Sequence, residues 1–338
     1  MKSSYCRLAN VEFLRIVFTI FVLVTHFFGN VFKIWTSGNQ GVEFFFILSG
    51  YLLALTYKPD RGIIAYAQSK FVRFVPLVVF GGFLCSGGWS SLRGIFMLQG
   101  TGLYVNTPNS PAWFIGTLFW TSILYLSFFK ALDEKTRNLM IGIVVAVACM
   151  CTSKWRMLHD FIPYEMLRGI SCVGIGCLLA QCCRSDSTRA GLDKWSWGYT
   201  IAEVLLLSYI LVGCFNRNVY LLLGAWIFRP ITLTLLLWLF IKKRGFISNL
   251  CDRPIFIHLA KYSLSVYLTH WCFGTTVRSF VQSNYPGWLE SNVELSISIA
   301  MVGSCLLGVL AHHLVEKPCT RYLNNWLTRF KEDTLVNR

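Results

Sequence analysis

Charge is scarce in this chain. Asp, Glu, Lys and Arg together make up 14% of its 338 residues, against 55% hydrophobic and 16% aromatic, so the apolar surface far exceeds what a soluble core could cover. That excludes a soluble globular enzyme and leaves an integral membrane protein. Regular cysteine spacing is also lacking. The thirteen cysteines are scattered through apolar stretches, among them Cys85, Cys149, Cys172 and Cys305, and the adjacent pair Cys182 and Cys183 has no His or Cys neighbour to complete a zinc motif. They read as small buried hydrophobes, and no metal is expected. A cleavable leader is not expected either, because the first apolar run is too long, lacks a small-residue cleavage pattern and is followed by many similar runs. Acidic residues are few, 16 against 31 Lys and Arg, for a net charge of +15. Such an excess suggests nucleic acid in a soluble protein. Here the basic residues fall in loops between apolar runs, where orientation in a membrane accounts for them, and no nucleic-acid partner is expected.

Runs of about 17 to 25 predominantly apolar residues, the length that crosses a bilayer, fall at 11–32, 41–57, 71–91, 112–131, 138–153, 164–183, 197–214, 219–241, 260–283 and 292–316. The expected fold is all-α: a polytopic transmembrane helical bundle of about ten spans. The loops provide an independent test. One alternating set holds Lys2 and Arg7; Lys58, Arg61, Lys70 and Arg73; Lys130, Lys135 and Arg137; Arg184, Arg189 and Lys194; Lys242, Lys243, Arg244, Arg253 and Lys261; and Lys317, Arg321, Arg329, Lys331 and Arg338. The other set holds little beyond Arg93, Lys154, Arg156 and Arg217. The positive-inside rule then places both termini in the cytoplasm. No internal repeat stands out. The longest outer connection, 92–111, contains NTPNSPAW, whose Asn and Pro favour irregular backbone. The chain reads as a single membrane domain, 1–330, with a short cytoplasmic tail, 331–338.

The first run, VEFLRIVFTIFVLVTHFFGN, carries Arg15 and His26. At 100° per residue their eleven-residue step is three turns plus about 20°, so the two side chains share a face roughly 16 Å apart along the axis. Glu12, Thr19 and Val22 lie on the same stripe. An ionisable group at depth costs a few kcal/mol against hydrocarbon, so the stripe should face the bundle interior or a wet cavity. Taken singly, Arg15 is as readily a snorkelling residue and His26 a packing histidine. Together they suit an anionic cytosolic molecule held at one end and chemistry at the other.

The Arg-x10-His spacing, with Glu12 three places before Arg15, resembles the acyltransferase-3 family of membrane acyltransferases. Further segments are similar to that family's motifs in the same order: GVEFFFILSGYLLA at 41–54, KFVRFVP at 70–76, PAWF at 111–114, KYSLSVYLTHW at 261–271 and HHLVEKP at 312–318. Two positions depart from the usual pattern, Lys70 where Arg is commoner and Tyr51 where Phe is commoner. The resemblance spans essentially the whole chain. It implies acyl transfer from a coenzyme A thioester, acetyl-CoA before other short acyl-CoA donors, to a hydroxyl of a cell-surface glycan or its lipid-linked precursor. It also implies a bacterial cytoplasmic membrane as the location.

That activity gives the residues roles. A neutral imidazole at His26 suits deprotonation of an alcohol, and it could equally attack the thioester and carry the acyl group. Glu43 either orients the other ring nitrogen of His26, as a carboxylate does in a hydrolase triad, or sits at its own helix N-terminus for electrostatic reasons. Ser49 and Gly50 read from the bare sequence as a back-bonding serine and a small residue at a helix contact. Through the resemblance, Ser49 becomes a donor to the thioester oxygen and Gly50 a point of close backbone approach to the donor. Arg15, Lys70 and Arg73 are expected to hold the coenzyme A phosphates, whereas Lys58 and Arg61 are left to orientation. Trp113, Tyr267 and His270 are candidate sugar contacts, with interfacial aromatic belts as the alternative. His312, His313, Glu316 and Pro318 read as structural, closing the last span. The rival function is a transporter or flippase with an ionisable pathway, for which the paired repeats are not seen.

Overall fold

The computed structural model of the protein describes residues 7–31, 36–86, 88–103, 108–153, 162–187, 196–216, 218 and 228–336. Lys2, Lys154, Arg156, Arg189, Lys194, Arg217 and Arg338, together with 104–107 of the outer connection and 219–227 of the eighth apolar run, lie outside them. Eleven long helices carry the described chain: α1 Ala9–Val24, α2 Asn39–Leu55, α3 Ile63–Ser86, α4 Trp113–Ala131, α5 Glu134–Ser153, α6 Tyr164–Ser187, α7 Trp197–Phe215, α8 Phe228–Lys242, α9 Ser263–Asn284, α10 Val293–Ala311 and α11 Lys317–Val336. No strand occurs among the described residues.

Each of the ten apolar runs overlaps one of these helices, and among the described residues seven segments are long and apolar enough to cross a bilayer. The three others have different reasons. Helix α2 is an apolar helix of 17 residues, and α8 has 15 described residues. Helix α9 is 22 residues long but carries Ser263, Ser265, Thr269 and His270, all buried. Its polarity is turned inward, which lowers its average hydropathy and marks it as a helix that lines something.

Small residues let the bundle close. A Cβ on Gly50 would overlap the Val173 carbonyl oxygen, and one on Gly176 would overlap that of Ile47, so α2 and α6 pack backbone to backbone. On the opposite face of α2, Gly41 meets Phe18 and Val22 of α1. Helix α1 is pinned at its start by Asn10, whose amide donates to the Phe240 carbonyl at the end of α8 at 2.6 Å. Helix α3 contains Pro76, which leaves the Val72 carbonyl without its helical donor. The Thr320 hydroxyl of α11 approaches that carbonyl at 3.4 Å.

The segment after α3 is more ordered than its Asn and Pro content implies. A 3-10 stretch, Trp89–Phe96, folds back over the end of α3, and Met97 is fully buried in a left-handed conformation. The Met97 carbonyl accepts the Trp120 indole N–H at 2.9 Å. Cys85, in the last turn of α3, and Cys272, in the middle of α9, form a disulfide. This corrects the reading of every cysteine as a small buried hydrophobe. Cys172 and Cys177 fit that reading, whereas Cys182, Cys305 and Cys319 are exposed. The last span does not close at Glu316 either. A π turn, His312–Glu316, leads into α11, and this local loosening of the hydrogen-bond ladder precedes Pro318, which has no N–H to give it. Helix α11 continues through residue 330 to Val336.

Candidate active site

Two features stand one above the other along α1. At the end where α1 begins, a cavity of about 320 Å³ opens between α1, α2, α3, α4 and α9. Arg7, Arg15, Lys70 and Arg73 line it, against Glu12 as its one carboxylate. Glu12 is tied to Arg15 at 2.6 Å, and the four cations outnumber it. Lys70 and Arg73 reach the same space because Tyr66, Lys70, Arg73 and Phe74 recur at helical spacing on one face of α3. The Lys70 ammonium lies over the Tyr66 and Phe74 rings at 5.3 and 5.8 Å, an arrangement that holds a cation in place without neutralising it. Arg7 belongs to this group and was read from the sequence only as a loop charge. It precedes the helix, where periodicity carries no information. Ser49 also lines the cavity, while Gly50 is taken up by the contact with Val173 and does not.

The second feature is a pair of histidines. His26 lies in a π turn, Thr25–Val31, that ends the first span; such turns shift the register of the side chains that follow and recur at functional sites. Its Nδ1 is 2.6 Å from Nε2 of His270. Nδ1 of His270 is in turn 2.6 Å from the Tyr267 carbonyl oxygen. A carbonyl only accepts, so Nδ1 of His270 carries a proton, and with neutral rings its Nε2 is an acceptor. His26 Nδ1–H then donates to it, leaving the lone pair of His26 on Nε2. His270 is fully buried and His26 half-buried. The Trp271 ring meets His26 edge to face at 5.4 Å, and the Phe27 ring meets His270 at 6.0 Å.

Helix α9 is fixed on both sides of His270. The Tyr267 hydroxyl donates to the Pro111 carbonyl at 3.0 Å, Asn109 donates to the Leu268 carbonyl at 2.7 Å, and the disulfide holds Cys272. The structure gives Tyr267 and His270 different surroundings: the tyrosine ring lines the cationic cavity, and the histidine ring is hydrogen-bonded to His26. Trp113 has the Arg168 guanidinium 5.5 Å from its ring.

Glu43 does not meet His26. Its carboxylate is buried between Arg229 at 2.8 Å and Arg168 at 3.2 Å, because the face of α2 that bears Glu43, Ile47 and Gly50 is turned to α6 and α8, away from α1. The orienting partner of His26 is His270, a role the sequence did not suggest because 244 residues separate the two. Arg15 and His26 do not share one cavity either: the π turn breaks the stripe, and His26 is absent from the lining. Among the described residues no group of three or more His, Cys, Asp or Glu converges as a metal would need.

A helical membrane bundle with a cationic cavity at one end and an oriented imidazole beyond it has the parts of a group-transfer enzyme acting on an anionic donor. Residues 8–313 match the family model described as an acyltransferase domain, and the chain belongs to that acyltransferase-3 family. It is a membrane acyltransferase. No curated protein and no solved structure matches it.

Proposed function

We propose that the protein is an O-acyltransferase that moves a short acyl group, acetyl first among them, from a coenzyme A thioester to a hydroxyl of a cell-surface glycan or its lipid-linked precursor. The observation that carries this reading is the coupling of the two features through one residue: Tyr267 gives its ring to the cationic cavity and its carbonyl to the histidine pair. The donor's phosphates sit among Arg7, Arg15, Lys70 and Arg73, and Ser49 is within the same space to donate to the thioester oxygen. His26 Nε2 takes the proton of the acceptor hydroxyl as its oxygen attacks the thioester carbon. The carbon–sulfur bond then breaks, and the proton on His26 passes to the departing thiolate. His270, accepting from His26 Nδ1–H, keeps the basic nitrogen aimed and stabilises the imidazolium formed in passing, the part that a carboxylate plays in a hydrolase triad.

Two observations favour a cytosolic opening for the cavity. The basic connections, among them Lys58, Arg61, Lys130, Lys243 and Arg244, fall at the cavity end, and the disulfide joins α9 to the end of α3 away from the cavity cations, where an oxidising compartment would keep it. The test is incorporation of label from acetyl-CoA into alkali-labile esters in membranes that contain the protein. Replacing His26 with Ala removes the base and lowers incorporation by about 10²- to 10⁴-fold. Incorporation that does not depend on His26 rejects the assignment, and movement of a substrate without ester formation favours a transporter.

A further inference from the structure

Three rings stand at the inner end of the cationic cavity: Phe45 of α2, Phe114 of α4 and Tyr267 of α9. Phe45 and Phe114 lie 6.2 Å apart between centroids, and Phe114 and Tyr267 5.4 Å apart, all edge to face. The next ring in the series is His270, 5.8 Å from Tyr267 and hydrogen-bonded to His26. Neither histidine touches the cavity. Tyr267 precedes His270 by three residues, a rise of about 4.5 Å, so the cavity stops less than one helical turn short of the relay. An acyl group carried by a donor among the cations meets this layer of rings before it meets His26.

The three rings are not equally fixed. Tyr267 is held through its hydroxyl by Pro111, and Phe114 is backed by Phe46 at 4.6 Å. Both are nearly inaccessible. Phe45 lines the cavity and is only half-buried, its ring meeting Phe44 at 5.8 Å and Phe114 at 6.2 Å. It is the ring that can turn aside to admit a small group, and the one whose volume limits how large that group can be. Protein interiors are packed closely enough that one methylene is felt.

We propose that Phe45, against Phe114, which Tyr267 backs in turn, sets the upper length of the acyl group that this enzyme transfers. The inference rests on the acyl-transfer reading above and adds to it the structural basis of donor choice. A two-carbon group passes beside the rings. Each added methylene must push into them, and discrimination of about 10- to 200-fold per methylene is what a pocket of this kind supports.

The experiment uses membranes from cells that make the full chain, where the native acceptor is present, and offers acetyl-CoA and butyryl-CoA in competition, with ester products counted by mass spectrometry. Wild type favours acetyl. Phe45→Ala raises the butyryl-to-acetyl ratio by about 10-fold or more, and Phe45→Leu, which keeps more of the packing, moves it the same way by less. Ile20→Ala, on the outward face of α1, keeps the wild-type ratio. Acetyl transfer that persists in both Phe45 variants with an unchanged ratio overturns the proposal while leaving the proposed function standing. Wild-type membranes that transfer neither acyl group overturn both.

Discussion

Replacing His270 tests the relay without touching the base itself. In His270→Phe the ring volume is kept, but His26 Nδ1–H loses its acceptor at 2.6 Å in a place where water cannot fully replace it. An unsatisfied buried donor costs about 1–3 kcal/mol. If that cost falls on the oriented, reactive arrangement of His26, the rate drops by about 5- to 150-fold, since each 1.36 kcal/mol is a factor of ten. His270→Gln sets the sign of the argument, because the Gln carboxamide oxygen reaches about as far as the imidazole Nε2 and can accept the same proton. The expected order in kcat is therefore wild type, then Gln, then Phe. The KM for acyl-CoA stays within a few fold of wild type throughout, because the cations that hold the donor are untouched. Steady-state kinetics in proteoliposomes, with thermal melts to compare folding, make the measurement. A Phe variant as active as wild type, or one whose defect lies wholly in KM, refutes the relay and returns His270 to a packing role.

Arg73→Ala removes one of the cavity cations and should raise the KM for acyl-CoA by about 10- to 150-fold, the equivalent of a charge-assisted hydrogen bond of 1.5–3 kcal/mol, with kcat little changed. A fall in kcat alone would place Arg73 outside donor binding. Glu43→Gln breaks a buried carboxylate pairing with Arg168 and Arg229 and should cost about 3–5 kcal/mol of stability, seen as a lower Tm, while the folded fraction keeps its kcat. A kcat loss as large as that of His26→Ala, with Tm unchanged, would restore Glu43 to the reaction.

The cationic half of the site was legible because its residues are local. Arg15 follows Glu12 within one turn, and Lys70 and Arg73 repeat along one face of α3, so helical periodicity alone carries them to a common surface. The histidine half was not. His26 Nδ1 finds its partner on α9, and no pattern within either helix names the other. The π turn at Thr25 defeats the extrapolation of a regular 3.6-residue stripe from Arg15 to His26, because the register changes just where the second residue sits. Glu43 was misplaced for a related reason: its position along α2 was readable, but its azimuth was set by glycines at 41, 50 and 176 that decide which faces of α2 can approach α1 and α6. The disulfide pairs cysteines 187 residues apart, a distance over which spacing says nothing. Helix α9 escapes a hydropathy count for the opposite reason, since the polar side chains that make it functional are those that lower its apolar score.

Tyr267 has one side chain and one carbonyl, and the fold assigns them to different tasks. The ring forms a wall of the cationic chamber, and the carbonyl two bonds away from its Cβ fixes which nitrogen of His270 carries a proton. Anything that presses on that wall leans on the same short stretch of backbone that keeps the imidazole pair in register. What fills the chamber and how the imidazole pair is aimed are thus joined at a single amino acid.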